Sequence, residues 1–181
     1  MGISLDGYTM GPDGRFDWAT PDPEVFGCAL EQVRGLGAHL LGRRLYETML
    51  YWETADADPE LDEAEREFAR VWQALPKVVF SRTLSSVGGR NTRLATGPLD
   101  IEIERLRTET GPGDLAIGGP ELAHQAAALG LIEEYAPRIH PTLLGGGTPY
   151  FAPGCPQVEL ELVEARSLGS GVVLHRHRVV R

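Results

Sequence analysis

The chain of 181 residues suits one domain, and its 42% hydrophobic and 24% charged residues are typical of a globular protein with a core. Its formal net charge of −9 repels a phosphate backbone, so we expect no nucleic-acid partner. No apolar run approaches the ~18 residues of a membrane helix, and the N-terminus lacks a signal-peptide pattern. We therefore expect a cytoplasmic protein with no membrane partner and a single domain over residues 1–181.

Predicted helices and strands alternate along most of the chain, after a loop rich in Gly, Pro and Asp at 11–23. Five helices are predicted. The first begins at Pro23 and ends at Gly35, and the second carries Leu45, Met49 and Trp52 on one face. The third spans 60–75, the fourth spans 99–109, and the fifth begins at Pro120 and ends at Gly130. The segment 99–109 also shows some strand-like alternation. The predicted strands are Ala38–Leu41, Lys77–Ser81, Asp114–Ile117 and three near 133–140, 158–167 and 172–180.

This order predicts an α/β fold with a mostly parallel sheet covered by helices on both faces and an antiparallel C-terminal hairpin. The turn of the hairpin is predicted at Gly169-Ser170-Gly171. If Leu168 pairs with Val172, Glu164 lies opposite Arg176 as a favourable cross-strand pair. Ligands of such sheets bind at the carboxyl ends of the strands.

Three turns follow predicted strands directly, and each has features of a phosphate site. Gly42-Arg43-Arg44 combines a glycine, two guanidinium groups and a helix start. An ordinary strand-to-helix turn with solvated arginines is the alternative. Ser81-Arg82 places a hydroxyl and an arginine at the next strand end, which suits a ribose 2′-phosphate and therefore NADPH.

The third turn, Gly118-Gly119-Pro120-Glu121-Leu122, joins a strand to a helix whose N-terminus would face a bound phosphate. The glycines would equally allow tight packing of the helix on the sheet. Together the three turns predict a dinucleotide site.

No metal site or catalytic triad is predicted. His175 and His177 share a face of the last strand, but no third ligand is near them in the sequence, so a cross-strand structural role is favoured. Cys28 and Cys155 have neither metal-ligand spacing nor the number for a disulfide framework. Gly145-Gly146-Gly147 is predicted to be a flexible turn, with lining of the site as the alternative.

The motifs occur in an order that resembles the dihydrofolate reductase-like superfamily. They are Ser4-Leu5-Asp6-Gly7-Tyr8, Gly42-Arg43-Arg44-Leu45-Tyr46-Glu47, Phe80-Ser81-Arg82, Ile117-Gly118-Gly119-Pro120-Glu121-Leu122 and Leu143-Leu144-Gly145-Gly146-Gly147-Thr148-Pro149. Within this superfamily the chain is similar to small proteins that resemble the C-terminal reductase domain of the bifunctional riboflavin-biosynthesis deaminase–reductase. The resemblance covers almost the whole chain.

The resemblance implies a three-layer α/β/α fold with a central mixed, mostly parallel sheet, NADPH as hydride donor, and frequently a homodimer. It implies cofactor contacts at ten residues of the three turns. These are Gly42, Arg43, Arg44, Ser81, Arg82, Gly118, Gly119, Pro120, Glu121 and Leu122. It also implies that the loop from Thr9 to Pro23 overlies the nicotinamide, with Asp6 near the substrate end of the first strand.

Three features depart from the family pattern. Only Met1, Gly2 and Ile3 precede Ser-Leu-Asp-Gly, so the first strand is expected to be short unless this start is internal to a longer chain. Pro137 cannot donate a ladder hydrogen bond, so the strand around Tyr135 is expected to be bulged or at an edge.

The third departure concerns the proton donor. Trp18-Ala19-Thr20-Pro21 matches the loop of dihydrofolate reductases, but position 23, where they carry an acid, is proline. The flanking Asp22 and Glu24 are candidates, as is Asp6, our first choice for binding a polar substrate edge or relaying a proton. Ordinary solvated carboxylates remain the alternative for Asp22 and Glu24.

The leading hypothesis is an NADPH-dependent reductase of a small heterocyclic, pterin- or pyrimidine-like, or carbonyl substrate. The first alternative is a non-catalytic dinucleotide-binding or regulatory module on the same fold, favoured by the missing acid. The second is a structural domain without a nucleotide site.

Overall fold

The computed structural model describes residues 1–181 and contains five α-helices and eleven β-strands. The helices are α1 (Pro23–Arg34), α2 (Arg43–Met49), α3 (Glu63–Ala74), α4 (Leu99–Glu109) and α5 (Pro120–Ala128). The strands are β1 (Gly2–Ser4), β2 (Tyr8–Met10), β3 (Leu36–Gly42), β4 (Lys77–Phe80), β5 (Thr92–Leu94), β6 (Asp114–Gly118), β7 (Glu134–Tyr135), β8 (Arg138–His140), β9 (Thr148–Pro149), β10 (Leu160–Ser167) and β11 (Val173–Val179). None of the helices has the length and hydropathy that crossing a membrane requires.

Residue contacts divide the chain into two compact units. The first unit contains Met1–Phe26 and Ala123–Arg181, and the second contains Gly27–Leu122. The expectation of a single domain over residues 1–181 stays a prediction.

The second unit is built on a four-stranded parallel sheet in the order β5-β4-β3-β6. The segments between parallel strands must return the chain to the same end of the sheet, and helices α2, α3 and α4 lie in these crossovers. Leu40, Leu41, Val78 and Val79 are almost fully buried, as expected of the central strands of such a sheet.

Helix α3 supplies the aromatic part of this unit's core. Asp62 accepts from the backbone N–H of Glu65 at 2.8 Å, and Glu65 accepts from the backbone N–H of Asp62 at 2.9 Å. This capping box fixes the helix start three residues later than the predicted span of 60–75. Trp72 is 2% exposed and lies edge-on to His39 of β3, with ring centroids 5.6 Å apart.

The first unit contains a five-stranded mixed sheet in which β1, β8, β11 and β10 follow one another and β7 also pairs with β11. The predicted hairpin is confirmed, because Leu168 donates to Val172 at 2.7 Å and Glu164 lies opposite Arg176. Pro137 separates β7 from β8, which agrees with the expected interruption. The remaining strands, β2 and β9, form a small antiparallel pair.

The predicted α/β class, with a parallel sheet and an antiparallel C-terminal hairpin, is confirmed, although hydrogen bonding distributes the strands over three sheets. The predicted helices are all present, and α4 has the predicted bounds. The strands β2, β5 and β9 were not predicted. They contain only two or three residues, too few for a period of two to be visible.

Candidate functional site

The three predicted turns lie at one edge of the parallel sheet in the second unit. Gly42 at the end of β3 is in register with Phe80 at the end of β4, and Leu41 is in register with Gly118 at the end of β6. Neighbouring strands are about 4.8 Å apart, so the turns after them are adjacent. The sequence prediction that these turns share one edge is confirmed.

The turns after β3 and β6 approach each other closely. Gly119 has a φ of +95°, and a Cβ built on it would lie 3.3 Å from the Cα of Gly42. Gly42 precedes α2 without any side-chain cap, so the first backbone N–H groups of that helix have no side-chain acceptor. No side chain of the protein therefore competes with a ligand for these N–H groups.

Gly118 has a different reason to be glycine. A Cβ at this position would overlap Cδ2 of Leu45 and would lie 2.7 Å from Cε1 of His39. Leu122, on α5, is 4% exposed and belongs to the core. For Gly118 the packing explanation that the sequence left open agrees with the structure, and the buried side chain of Leu122 packs in the core as its place on the apolar face of the helix predicts.

In the first turn of α5, backbone groups are better suited than side chains to bind a phosphate. Pro120 has no N–H and suits the first helical position, and Glu121 is exposed in the first turn. The carboxylate of Glu121 would repel a phosphate, so its backbone N–H is the group that suits the predicted role.

The arginines at this edge divide into one that is paired and two that are not. Arg43 donates from Nε to Oε1 of Glu47 at 2.7 Å and from a terminal nitrogen to the hydroxyl of Thr83 at 2.9 Å. It therefore links α2 to the turn after β4. Arg44 and Arg82 are exposed and have no ion pair or side-chain hydrogen bond, a property that only Arg178 shares among the basic residues.

Ser81 shapes the turn on which Arg82 lies. Its hydroxyl oxygen accepts from the backbone N–H groups of Thr83 at 3.2 Å and Leu84 at 3.1 Å. Such a serine turn holds the local backbone in place and leaves the guanidinium of Arg82 in solvent.

The carboxyl end of β5 holds a buried acid that the sequence analysis missed. Glu102 on α4 is 1% exposed and accepts from Arg93 at 2.7 Å and from the backbone N–H groups of Thr96 at 2.6 Å and Gly97 at 3.2 Å. Burial raises the pKa of Glu102, but the hydrogen bonds from Arg93 and Thr96 outweigh it and lower the pKa to about 2. Nothing in the sequence spacing of Arg93 and Glu102 indicated that the two side chains would pair.

All three candidate acids belong to the first unit, with Glu24 in the first turn of α1, and two of them are held by hydrogen bonds. Asp6 accepts from the backbone N–H groups of Leu144 at 3.1 Å and Gly145 at 2.7 Å. A hydrogen bond from Ser4, together with these backbone bonds, lowers the pKa of Asp6. An ionised carboxylate in this position holds the glycine-rich loop and is poorly suited to donate a proton.

Asp22 caps helix α1. One carboxylate oxygen accepts from the backbone N–H groups of Glu24 at 3.0 Å and Val25 at 2.9 Å, and the other accepts from the hydroxyl of Ser170 at 2.7 Å. The bond from Ser170 is the main reason that the pKa of Asp22 is lowered. The side chain of Glu24 is exposed and has no partner.

A cavity of about 420 Å³ lies in the first unit beside the loop that follows β2. Its lining residues are Gly11, Pro12, Asp13, Arg15, Asp17, Trp18 and Leu144. The indole N–H of Trp18 is buried without an acceptor, and its ring lies edge-on to His140, 5.6 Å away. By binding the N–H of Leu144, Asp6 fixes one wall of this cavity.

Comparison with known proteins agrees with the family resemblance that the order of the motifs indicated. The model of the RibD C-terminal domain matches residues 1–174. The protein YyaP of Bacillus subtilis (strain 168), which is uncharacterized, is 29% identical over 174 residues, covering 96% of this chain and 89% of its own length.

Solved structures show the same fold. A protein assigned to riboflavin biosynthesis in Shewanella sp. PV-4 superimposes with a TM-score of 0.77 at 22% identity, covering 100% of this chain and 97% of its own. The diaminohydroxyphosphoribosylaminopyrimidine deaminase/5-amino-6-(5-phosphoribosylamino)uracil reductase of Thermotoga maritima superimposes with a TM-score of 0.66 at 15% identity, over 99% of this chain. This chain spans 55% of that longer protein. The resemblance to the dihydrofolate reductase-like superfamily is confirmed, and the chain belongs to the RibD C-terminal domain family.

Proposed function

We propose that the chain is an NADPH-dependent reductase that transfers a hydride to a small heterocyclic, pterin- or pyrimidine-like, or carbonyl substrate. The observation that carries the proposal is the pair of unpartnered arginines, Arg44 and Arg82, at the ends of adjacent parallel strands in a protein of net charge −9. Two uncompensated cations at one sheet edge favour an anionic ligand.

The residues at this edge fit a dinucleotide. The backbones of Gly42 and Gly119 lie so close together that no side chain stands between the turn after β6 and the start of α2, and that start has no side-chain cap and suits a phosphate. Arg44 follows that start directly and suits the pyrophosphate, whereas Arg82 after the next strand suits the ribose 2′-phosphate. NADPH, when bound, supplies the hydride from C4 of its nicotinamide.

The cavity beside Trp18 suits the substrate. Its volume of about 420 Å³ lies within the range of small-molecule sites. Arg15 and Asp17 on its wall are paired with each other, and Asp13 adds one further carboxylate, so the wall carries a net negative charge. A planar polar heterocycle without negative charge matches such a site better than an anionic substrate does.

The proton that accompanies the hydride has no dedicated donor among Asp6 and Asp22, because both carboxylates are hydrogen-bonded in the ionised form. Glu24 is the one candidate whose carboxylate is uncommitted. We therefore assign proton delivery to Glu24 or to water, and substrate-side positioning to Asp6 through Leu144.

Asp6 and Asp22, which are not available as proton donors, support a second candidate function, a non-catalytic NADPH-binding module. Turnover separates the candidates. NADPH oxidation is followed by absorbance with dihydrofolate and a panel of pterins, pyrimidines and quinones, alongside a direct NADPH titration. Oxidation with any of them supports the reductase, whereas saturable NADPH binding without oxidation supports the module.

The cofactor assignment predicts a difference between NADPH and NADH. Arg82→Ala should weaken NADPH binding about tenfold or more, because it removes a charge-assisted hydrogen bond to the 2′-phosphate, and should spare NADH. Arg44→Ala should weaken both. Arg178→Ala, which removes the unpartnered arginine on β11, is the matched control and should change neither. Equal loss of NADPH and NADH in Arg82→Ala would refute the 2′-phosphate assignment.

We also propose that the protein acts as a homodimer.

A further inference from the structure

The cavity beside Trp18 has no free cation on its wall. Arg15 is the only cationic residue of its lining, and its guanidinium is paired with Asp17 through Nε, at 3.2 Å, and through a terminal nitrogen. Such a two-point pair directs the donors of the guanidinium towards their own partner. The lining therefore leaves no positive charge for an anionic ligand.

Asp13 supplies a carboxylate oxygen without a partner. Its Oδ1 accepts from the backbone N–H of Arg15 at 3.0 Å, whereas its Oδ2 has no hydrogen bond or ion pair. Asp17 differs, because Arg15 binds both of its carboxylate oxygens. A free carboxylate oxygen on a cavity wall accepts N–H donors, such as an amino group on a heterocycle, and repels a phosphate.

The surroundings of the cavity add to its negative charge. Residues 1–26, which supply every lining residue except Leu144, contain five carboxylates and one guanidinium. The backbone N–H of Leu144 is itself bound by the ionised carboxylate of Asp6. His140, which lies edge-on to Trp18, is buried, and burial lowers the pKa of His140 below its usual 6.5, so its ring is neutral at pH 7. The electrostatic potential at the cavity is therefore negative.

Trp18 gives an independent indication of a ligand. Its indole N–H is buried without an acceptor, which is unfavourable, and a ring carbonyl of a bound ligand would supply the missing acceptor. Pro12 and Leu144 add apolar surface to the lining, and such surface beside an indole suits a planar ring. A heterocycle with amino and oxo groups offers a donor to Asp13 and an acceptor to Trp18.

We propose that Asp13 is a specificity-determining residue of this cavity, which selects an amino- and oxo-substituted heterocycle without a phosphate group and rejects the phosphorylated form. The inference deepens the proposed function and rests on it for the assignment of the cavity to the substrate. It separates this chain from the reductase of Thermotoga maritima, whose named substrate carries a phosphoribosyl group.

The test uses neopterin and neopterin 3′-phosphate, which differ only in one phosphate group. Both are fluorescent, so binding to the full chain is followed by fluorescence anisotropy. Wild-type protein should bind neopterin about tenfold more tightly than its phosphate, because the phosphate meets carboxylates that no cation balances. Raising the ionic strength should narrow this ratio, since salt screens exposed charges. A purely structural role of Asp13 would not produce that salt dependence.

Asp13→Asn removes the charge and keeps the acceptor for the N–H of Arg15. It should weaken neopterin binding and reduce the ratio between the two ligands to about threefold or less, and Asp13→Arg should reverse the preference. Glu161→Gln is the matched control, because it removes an exposed carboxylate of the same unit outside the lining. This control should leave the ratio unchanged.

The titrations are repeated in Arg44→Ala/Arg82→Ala, so that a phosphate bound at the edge of the parallel sheet does not contribute. In that background, absence of neopterin binding, equal or tighter binding of the phosphate, or a ratio that Asp13→Asn leaves unchanged would each overturn the proposal. These measurements need no turnover. Selective binding by a protein that oxidises no NADPH would therefore contradict the reductase and leave the role of Asp13 supported.

Discussion

Asp6, Asp22 and Glu102 show how the surroundings of a carboxylate set its role. Each accepts backbone N–H groups, and in each the pKa is lowered, which keeps the charged form at neutral pH. Asp6 holds the loop at Leu144, Asp22 caps α1, and Glu102 holds the turn after β5. Ionised acceptors of this kind stabilise local backbone and are poor general acids.

Glu102 carries the clearest residue-scale prediction. Glu102→Gln should lower the free energy of unfolding by about 3 kcal/mol, because it leaves Arg93 without its buried partner. Chemical denaturation at neutral pH measures this. Glu104→Gln on the same helix, where the acid is 66% exposed, is the control and should cost less than about 0.5 kcal/mol.

The same residue predicts a pH dependence with a definite sign. The folded pKa of about 2 lies below the usual 4.5, so the stabilisation by Glu102 is complete above pH 4.5 and is lost as pH falls towards 2. Wild-type protein should lose more stability over this window than Glu102→Gln does. Equal losses in the two proteins would contradict the assignment.

At the scale of elements, the starts of α2 and α5 form the proposed phosphate site, and glycines determine how closely they approach. Gly119 provides the left-handed backbone, and Gly118 provides room for Leu45 of α2. The packing role and the ligand role of this turn are therefore compatible, because the tight packing brings the two helix starts together.

Gly118→Ala should destabilise the fold by about 1–3 kcal/mol and weaken NADPH binding, because the added methyl group displaces Leu45 and with it α2. Thermal unfolding and NADPH titration measure the two effects. The matched control is Gly27→Ala in α1, where a Cβ meets nothing within 4 Å. That variant should raise stability by about 0.5–1 kcal/mol, since alanine is the better helix former. A neutral Gly118→Ala would show that Leu45 moves aside freely.

The whole molecule has a net charge of −9, so binding of the proposed anionic cofactor depends on the local positive charge of the arginines. The proposed cofactor residues all lie within Gly27–Leu122, and Asp6 and the cavity beside Trp18 lie in the other unit. A ligand that binds only folded protein stabilises it by mass action, so binding is measurable before any substrate is known.

NADPH at about 100 times its dissociation constant should stabilise the protein by roughly 2.7 kcal/mol, a rise in melting temperature of roughly 5–10 °C. Differential scanning fluorimetry measures this, with Arg44→Ala as the control, which should shift less at the same concentration. No shift at millimolar NADPH would support a structural domain without a nucleotide site.

Local chemistry, read from the sequence alone, determined the helices, the shared sheet edge and the hairpin of this protein. Apolar periodicity located all five helices, because each has a continuous stripe closed by Gly, Pro or an acidic cap. Strand–turn order placed Gly42, Ser81 and Gly118 at one sheet edge, because parallel strands end at the same edge. The hairpin register followed from its turn residues.

Only the tertiary structure decided which side chains are free to act. The sequence could not show that Glu47 and Thr83 bind Arg43 while Arg44 has no partner, or that Leu144 and Ser170 bind Asp6 and Asp22. These partners lie up to 148 residues apart along the chain. Hydrogen bonding and burial set the charge of a carboxylate and the availability of a guanidinium. Both depend on groups that meet only when distant segments fold together.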